Sequence, residues 1–272
     1  MAGTSTGFAP WLARWSLEAD GEPFQTPYAG NWLLPVRQGE AVAMLKLFKH
    51  PEDRRGAETM VWWAGDGAAK VLAHGPEALL LERLAGPRAL ATMARSDEDD
   101  EASRILCAVA DRLHAPRPDP PAGLLPLDVW LRALKPAADA RGGVLGDAQA
   151  TLERLLAANE EPCVLHGDLH HANVLDGGDR GWLAIDPKGI RGPRGYDYAN
   201  ILCNPDGETA LAPGRMERQA HIVAQAARLP LERLLQWLLV HAAIAGVWRL
   251  QDGFDATAAL DIAAMARAAL NP

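Results

Sequence analysis

Residues Cys163 to Pro187 read CVLHGDLHHANVLDGGDRGWLAIDP, and this stretch decides the fold. Within it His166, Asp168 and Asn173 stand at the spacing H-x-D-x-x-x-x-N, and Asp186 closes a second apolar segment downstream. Val164-Leu165 and Val174-Leu175 are short apolar runs flanking a polar loop, and Gly177-Gly178 turns the chain into Trp182-Leu183-Ala184-Ile185. The pattern predicts a loop hung between buried strands, with Asp186 at the end of the next strand.

Phosphoryl transfer fits this layout, because it asks little covalent chemistry of a protein and much positioning and charge neutralisation. Asp168 is placed to orient an attacking hydroxyl and accept its proton. Asn173 and Asp186 offer oxygen ligands to Mg²⁺, which takes few protein groups and completes its octahedron with waters and phosphates. The histidines His166, His170 and His171 leave a second chemistry open, since Asp168-Leu169-His170 matches the opening D-x-H of dinuclear metallophosphatases. That centre needs more His and Asp ligands downstream, and no G-N-H segment supplies them.

Beyond Pro187 the chain continues Lys188-Gly189 and then Gly195-Tyr196-Asp197-Tyr198-Ala199-Asn200-Ile201-Leu202-Cys203-Asn204-Pro205. With this continuation the segment resembles the aminoglycoside phosphotransferase branch of the protein-kinase-like fold, HGDLHHANVL standing as catalytic loop and IDP where protein kinases have DFG. It looks closest to the streptomycin kinases and the aminoglycoside/hydroxyurea resistance kinases. The resemblance is strongest from Cys163 to Asp206 and fair over Gly21 to Leu84 and Leu234 to Gly253. It implies an α+β, bilobal fold: a small antiparallel β lobe with one key helix (residues 1–83) for nucleotide, and a larger, mostly helical lobe (residues 84–272) for catalysis and acceptor. It further implies ATP or GTP with Mg²⁺, and a small-molecule hydroxyl acceptor of the streptomycin type, phosphorylated as by a streptomycin 6-kinase in antibiotic resistance. A kinase of choline, homoserine or a sugar on the same scaffold is the alternative. A non-catalytic nucleotide-binding relative is another, and a metallophosphatase the remote one.

From Gly21 to Lys49 the pattern is that of strands, and an antiparallel start of three is expected. In Met44-Leu45-Lys46-Leu47-Phe48 a lysine interrupts an apolar strand, and burying an ammonium without a partner is expensive. Strand alternation alone would also allow Lys46 to face outward. The resemblance makes Lys46 the phosphate-gripping lysine and Glu58, in the helix expected over Pro51 to Ala64, its partner. No G-x-G-x-x-G precedes it; backbone amides near Tyr28 to Asn31 are the expected phosphate contact. Ala69 to Leu72 and Ala78 to Leu81 read as further strands, and Glu82-Arg83-Leu84-Ala85-Gly86-Pro87 as the hinge, with Glu82 and Leu84 offering adenine their backbone groups by resemblance.

Past Pro87 the pattern is helical to Glu161. The acidic run Ser96 to Glu101 is either a lure for polycations or a helix cap followed by acids that favour the macrodipole. Asp197 is either a substrate ligand or, as the resemblance has it, a carboxylate that holds the catalytic loop in shape beside His166. Asp206, Glu208, Asp252 and Asp255 lie in loops where a pocket for a cationic acceptor would recruit them. Among 272 residues, 49% hydrophobic, three cysteines lack any C-x-x-C, so no disulfide framework or thiolate zinc site is expected. The net charge of −8 argues against nucleic acid and favours a cationic substrate. No signal peptide is visible, and Leu234 to Trp248 falls short of the roughly 20 apolar residues of a membrane span. A cytoplasmic protein without an obligatory protein partner is expected.

Overall fold

The structure, a computed structural model, describes residues 4–26, 30–158 and 160–270. Helix α1 (Thr4–Arg14) leads into strands β1 (Glu18–Ala19), β2 (Phe24–Gln25), β3 (Trp32–Gln38) and β4 (Ala41–Leu47), then helix α2 (Pro51–Trp63) and strands β5 (Val71–His74) and β6 (Ala78–Glu82). These six strands form one antiparallel sheet in the order β1-β3-β4-β6-β5, with β2 also on β3. Alternation along β4 decides which face each residue meets. Ala43 and Leu45 join Leu34, Val36, Ala78 and Leu80 in a core closed by Phe8 and Trp11 of α1. Lys46 takes the opposite face, and because β4 lies between β3 and β6 it is buried, not exposed on an edge.

That opposite face is covered by α2, whose Ala57, Met60 and Trp63 pack with Leu79 and Leu81. Gly56 permits the close approach of α2 to the large lobe, since a Cβ there would stand 2.0 Å from the carbonyl oxygen of Pro187. The helix therefore rests directly on the segment that follows Asp186.

The rest is mainly helical: α3 (Leu90–Met93), α4 (Asp99–His114), α5 (Leu127–Trp130), α6 (Leu134–Arg141) and α7 (Gly143–Ala157), then, after the strands below, α8 (Gly195–Leu202), α9 (Gly207–Ala210), α10 (Arg215–Ala227), α11 (Leu231–Gln251) and α12 (Thr257–Leu270). Between them run β7 (Leu125–Pro126), β8 (Cys163–Leu165), β9 (Val174–Asp176), β10 (Trp182–Ala184) and β11 (Ile190–Gly192). β9 and β10 form a hairpin, and β8 pairs with β11, which pairs with β7. The strands read from the sequence are thus present, and the loop from His166 to Asn173 hangs between β8 and β9. α11 is buried on all sides with Trp237 at its centre, as its continuous apolar pattern requires. No helix among the described residues is long and apolar enough to cross a membrane.

The acidic run opens α4 as expected, with Asp99, Asp100 and Glu101 in the first turn, but the side-chain cap is absent. Ser96 accepts from the amide of Glu98 without capping the helix, and Asp99 is buried, held by Arg215, Arg218 and Gln219. It is a tether between α4 and α10.

Candidate active site

The loop's shape is set by a carboxylate on α8. Asp197 accepts the amides of His166 and Gly167, both at 2.8 Å, and the Nε2 of His114, also at 2.8 Å. Burial would raise its carboxyl, but His114, His166 and the loop amides outweigh burial and hold it below the ordinary range. His166 is buried and stacked on Trp63; its Nδ1 accepts the Asp168 amide and its Nε2 donates to the Ile185 carbonyl. Burial is the main cause that keeps this ring neutral.

On this scaffold Asp168 is half-buried with both oxygens engaged. Asn200 Nδ2 donates to Oδ1 at 3.2 Å and Asn173 Nδ2 to Oδ2 at 3.3 Å, while Lys188 Nζ lies 3.5 Å and His170 Nε2 3.6 Å away. Burial would raise the carboxyl, but the facing His170, Lys188 and His166 hold it well below the ordinary range, so it is ionised at neutral pH. Asn200 is held in turn by His241, 2.8 Å from its Oδ1. Asn173 also donates to the Asp168 carbonyl at 2.8 Å, so both of its contacts there use Nδ2 and its Oδ1 is left as an acceptor.

Asp186 follows β10 with φ of 59°, a left-handed conformation uncommon for a residue with a Cβ. Its Oδ1 meets Lys46 and its Oδ2 meets Lys188 at 3.3 Å. Burial would lower the Lys188 ammonium, but Asp168 and Asp186 outweigh it and push it above the ordinary range. Oxygen donors from Asn173 and Asp186 are hard ligands in the small number that Mg²⁺ takes from protein. Two ammonium groups at Asp186 mark the place where a cation is wanted, so the residues fit the ion.

The partner of Lys46 on α2 is Asp53, not Glu58. Lys46 Nζ lies 2.8 Å from Asp53 Oδ1. Asp53 also accepts from Asn31 Nδ2 at 2.8 Å and from the amides of Lys49 and His50. Burial would raise Asp53, but Lys46 and these donors hold it low. Glu58 stands five residues on, roughly 140° round the helix, with its carboxylate against Gly123 of the large lobe. Asn31 thus meets Asp53 through its side chain; the residues Pro27, Tyr28 and Ala29 of the expected phosphate loop lie outside the described residues.

At the hinge, Glu82 gives its amide to the Lys70 carbonyl and its carboxylate to Arg180 and the Lys70 amide. The Glu82 amide and carboxylate are thus taken up by Lys70, just before β5, and by Arg180 of the β9–β10 connection. Leu84 is half-buried against the core. Of the acids expected to face the acceptor, Asp206 caps α9 through Thr209 and pairs with Arg95 at 2.7 Å, and Asp255 accepts from Thr257. Glu208 and Asp252 are exposed and, among the described residues, form no ion pair. The start of α9 packs on that of α12, since a Cβ on Gly207 would stand 2.7 Å from that of Ala258. Asp206 and Glu208 line a cleft of about 720 Å³ with Arg95, Arg215 and Arg218. None of the four acids touches Asp168.

Reasoning from sequence missed Asp53, Lys188 and Asn200 as site residues. Asp53 had a local signal, an acid in the first turn after Pro51; Lys188 stands two residues past Asp186; Asn200 had none beyond its place in the GYDYAN run.

An antiparallel sheet with a buried lysine paired to a helix acid, above a loop that brings Asp168, Asn173 and Asp186 together, defines a protein-kinase-like phosphotransferase fold. Solved structures agree on the fold. An aminoglycoside phosphotransferase from Streptomyces rimosus in complex with ADP and streptomycin matches with a TM-score of 0.61 at 14% identity, over 90% of this chain and 99% of that one. A choline/ethanolamine kinase family protein from Mesorhizobium loti matches at 0.66 and 14%, over 99% and 95%. The chain belongs to the aminoglycoside/hydroxyurea antibiotic resistance kinases, whose sequence pattern matches residues 14–253, and is a small-molecule kinase. It is 47% identical to a streptomycin 3''-kinase of Klebsiella pneumoniae over 96% of this chain and all of that one. It is 32% identical to a streptomycin 6-kinase of Streptomyces griseus over 97% and 88%.

Proposed function

We propose that this kinase transfers the γ-phosphoryl group of ATP, with Mg²⁺, to a hydroxyl of streptomycin, and that the hydroxyl is the 3''. The chemistry is carried by one observation: Asp168 and Asp186, from two elements, converge on a single ammonium, that of Lys188. The acceptor rests on the 47% identity to a streptomycin 3''-kinase along its whole length, against 32% to a 6-kinase. GTP in place of ATP uses the same site. The two lobes, residues 1–83 and 84–272, divide nucleotide from acceptor, and use of ATP fits a reaction in the cytoplasm.

Asp168 is the base. Ionised and oriented by Asn173 and Asn200, it accepts a hydrogen bond from the acceptor hydroxyl and takes its proton as the new O–P bond forms. The old P–O bond breaks with its electron pair leaving on the nucleoside diphosphate. Lys46, fixed by Asp53, grips the nucleotide phosphates, and Leu84 lies under adenine. Asn173 Oδ1 and Asp186 would hold the metal, and bound there Mg²⁺ neutralises charge on the phosphate oxygens. Asp197 holds the loop that carries the base. The guanidinium groups of streptomycin stay protonated, and of the four loop acids the exposed Glu208 and Asp252 are the ones whose carboxylates would answer them, Asp206 being paired with Arg95 and Asp255 bonded to Thr257.

An acceptor panel tests this reading. Streptomycin, choline, homoserine and a neutral sugar are offered with Mg²⁺-ATP, ADP release is followed, and the phosphorylated position is mapped by phosphorus NMR. Streptomycin should give the highest kcat/KM with phosphate on the 3''-oxygen. Preference for an uncharged acceptor would overturn the acceptor assignment, and phosphate at the 6-oxygen the regiochemistry.

A further inference from the structure

Lys188 has no assigned part in the reaction, yet its ammonium lies between the base and the metal-ligand carboxylate. Nζ is 3.5 Å from Asp168 Oδ2 and 3.3 Å from Asp186 Oδ2. Lys46 meets the other oxygen of Asp186 and is anchored away from Asp168 by Asp53. Among the described residues only Lys188 spans both carboxylates. In an in-line displacement the attacking oxygen, phosphorus and leaving oxygen lie on one line. The attacking oxygen sits at Asp168 and the phosphates on the Asp186 side, so the group in flight crosses the interval that this ammonium borders.

The side chain is also aimed from a fixed base. The Lys188 amide donates to the His166 carbonyl at 2.8 Å. A Cβ on Gly167 would stand 3.2 Å from the Lys188 Cβ, and Gly189, at φ of 65°, lies against Arg55 of α2. Little room remains for the backbone to shift, which is what a preorganised electrostatic group requires. The contacts to the two carboxylates are meanwhile long for charge-assisted hydrogen bonds, which run about 2.7–2.9 Å. A fully made pair in this protein looks different: Arg215 reaches Asp99 at 2.8 and 2.9 Å. Lys188 is held near both acids and bound tightly to neither.

We propose that Lys188 is a catalytic residue whose ammonium contacts the equatorial oxygens of the γ-phosphoryl group as it passes to the hydroxyl at Asp168; this rests on the phosphotransfer reading above. As the hydroxyl oxygen bonds to phosphorus and the bond to the diphosphate breaks, negative charge spreads over those oxygens. Lys188 balances it and keeps its proton, while the hydroxyl proton goes to Asp168.

The test uses Lys188→Met and Lys188→Arg in the full chain. Calorimetry gives the affinities for Mg²⁺-ADP and for ADP with tetrafluoroaluminate, a mimic of the group in flight; kcat is measured from about pH 6 to about pH 9. The Met variant should bind Mg²⁺-ADP within about threefold of the native protein and the fluoroaluminate complex at least about tenfold more weakly. Its kcat should fall roughly 10²–10³-fold across the whole range, and Arg should restore part of it. Equal fluoroaluminate affinity in native and Met proteins would overturn the proposal. A loss of kcat that vanishes as pH rises would do the same, by showing that Lys188 acts only on the protonation of Asp168. Should the Met variant lose ADP binding altogether, Lys188→Gln is set against Lys188→Arg, and equal kcat in the two overturns it. The binding readouts involve no acceptor, so they stand apart from any failure of the streptomycin assignment.

Discussion

Among the acid–cation clusters of the described residues, two that are buried or half-buried serve opposite ends. Around Asp99, Arg215 docks two nitrogens on the two carboxylate oxygens, Arg218 and Gln219 complete the shell, and the acid is 3% exposed. Around Asp168 and Asp186 the cations are lysines, contacts to Lys188 run from 3.3 to 3.5 Å, and the carboxylates are 35% and 26% exposed. The guanidinium fork fits a carboxylate bidentately and locks helices α4 and α10; an ammonium is a point charge that changes partners at low cost. One cluster holds the fold, and the other waits for phosphate and metal.

Breaking each cluster should therefore read out in different measurements. Asp168→Asn keeps the shape of the side chain and removes the base, and kcat should fall roughly 10²–10⁴-fold with the thermal midpoint little changed. Steady-state kinetics beside a melting curve checks both halves. Asp99→Ala leaves Arg215 buried and unpaired and should cost about 3–5 kcal/mol by urea unfolding, with kcat of the folded fraction intact. A stable Asp99 variant without activity would reverse the contrast.

The partner of Lys46 sharpens it further. In a double-mutant cycle on kcat/KM, Lys46→Ala and Asp53→Ala should couple by about 0.5–3 kcal/mol, because each acts through the same phosphate contact. Lys46→Ala with Glu58→Ala should be additive, and Glu58→Ala alone within a few-fold of native.

A smaller effect comes from two buried histidines, His171 within the catalytic loop and His241 of α11 behind it. Burial drives His241 down to about 4 and His171 down to about 3. Both pKa values are depressed in the fold, so the unfolded chain binds more protons below its own value near 6.5. Stability is thus fully present above about pH 6.5 and lost as pH falls toward the folded values, by up to about 1.4 kcal/mol per pH unit for each ring. His241→Gln, which keeps a donor for Asn200, should flatten the slope of unfolding free energy between about pH 6 and about pH 5. An unchanged slope would mean that His241 is not held neutral.

Much of this was legible in the sequence because it is local. The catalytic loop is a spacing between two strands, and the strands are short apolar runs cut by glycines, so Asp168, Asn173 and Asp186 could be placed together from residues alone. Alternation put Lys46 on one of two faces, and only the strand order, with β4 inside the sheet, decided which. Glu58 was the wrong acid because the choice depends on which face of α2 meets the sheet, which packing against Lys46 and against Pro187 at Gly56 decides; the start of the helix at Pro51 was legible. The Asn200 contact to Asp168 and the Asp99 tether join residues far apart in sequence through the packing of α8, α10 and α4. No periodicity encodes such contacts. Within the acidic run, the first-turn acids were legible, but the tether made by Asp99 was not, for the same reason.

The division of labour between base and metal ligand is tested most directly by titrating Mg²⁺-ATP calorimetrically into Asp168→Ala and Asp186→Ala. The first should bind within about threefold of the native protein while turning over roughly 10²–10⁴-fold more slowly. The second should lose at least about tenfold in nucleotide affinity, the scale of one charged contact to the metal-bound phosphates. Equal losses of nucleotide affinity in the two variants would contradict the assignment of Asp168 as base and Asp186 as metal ligand.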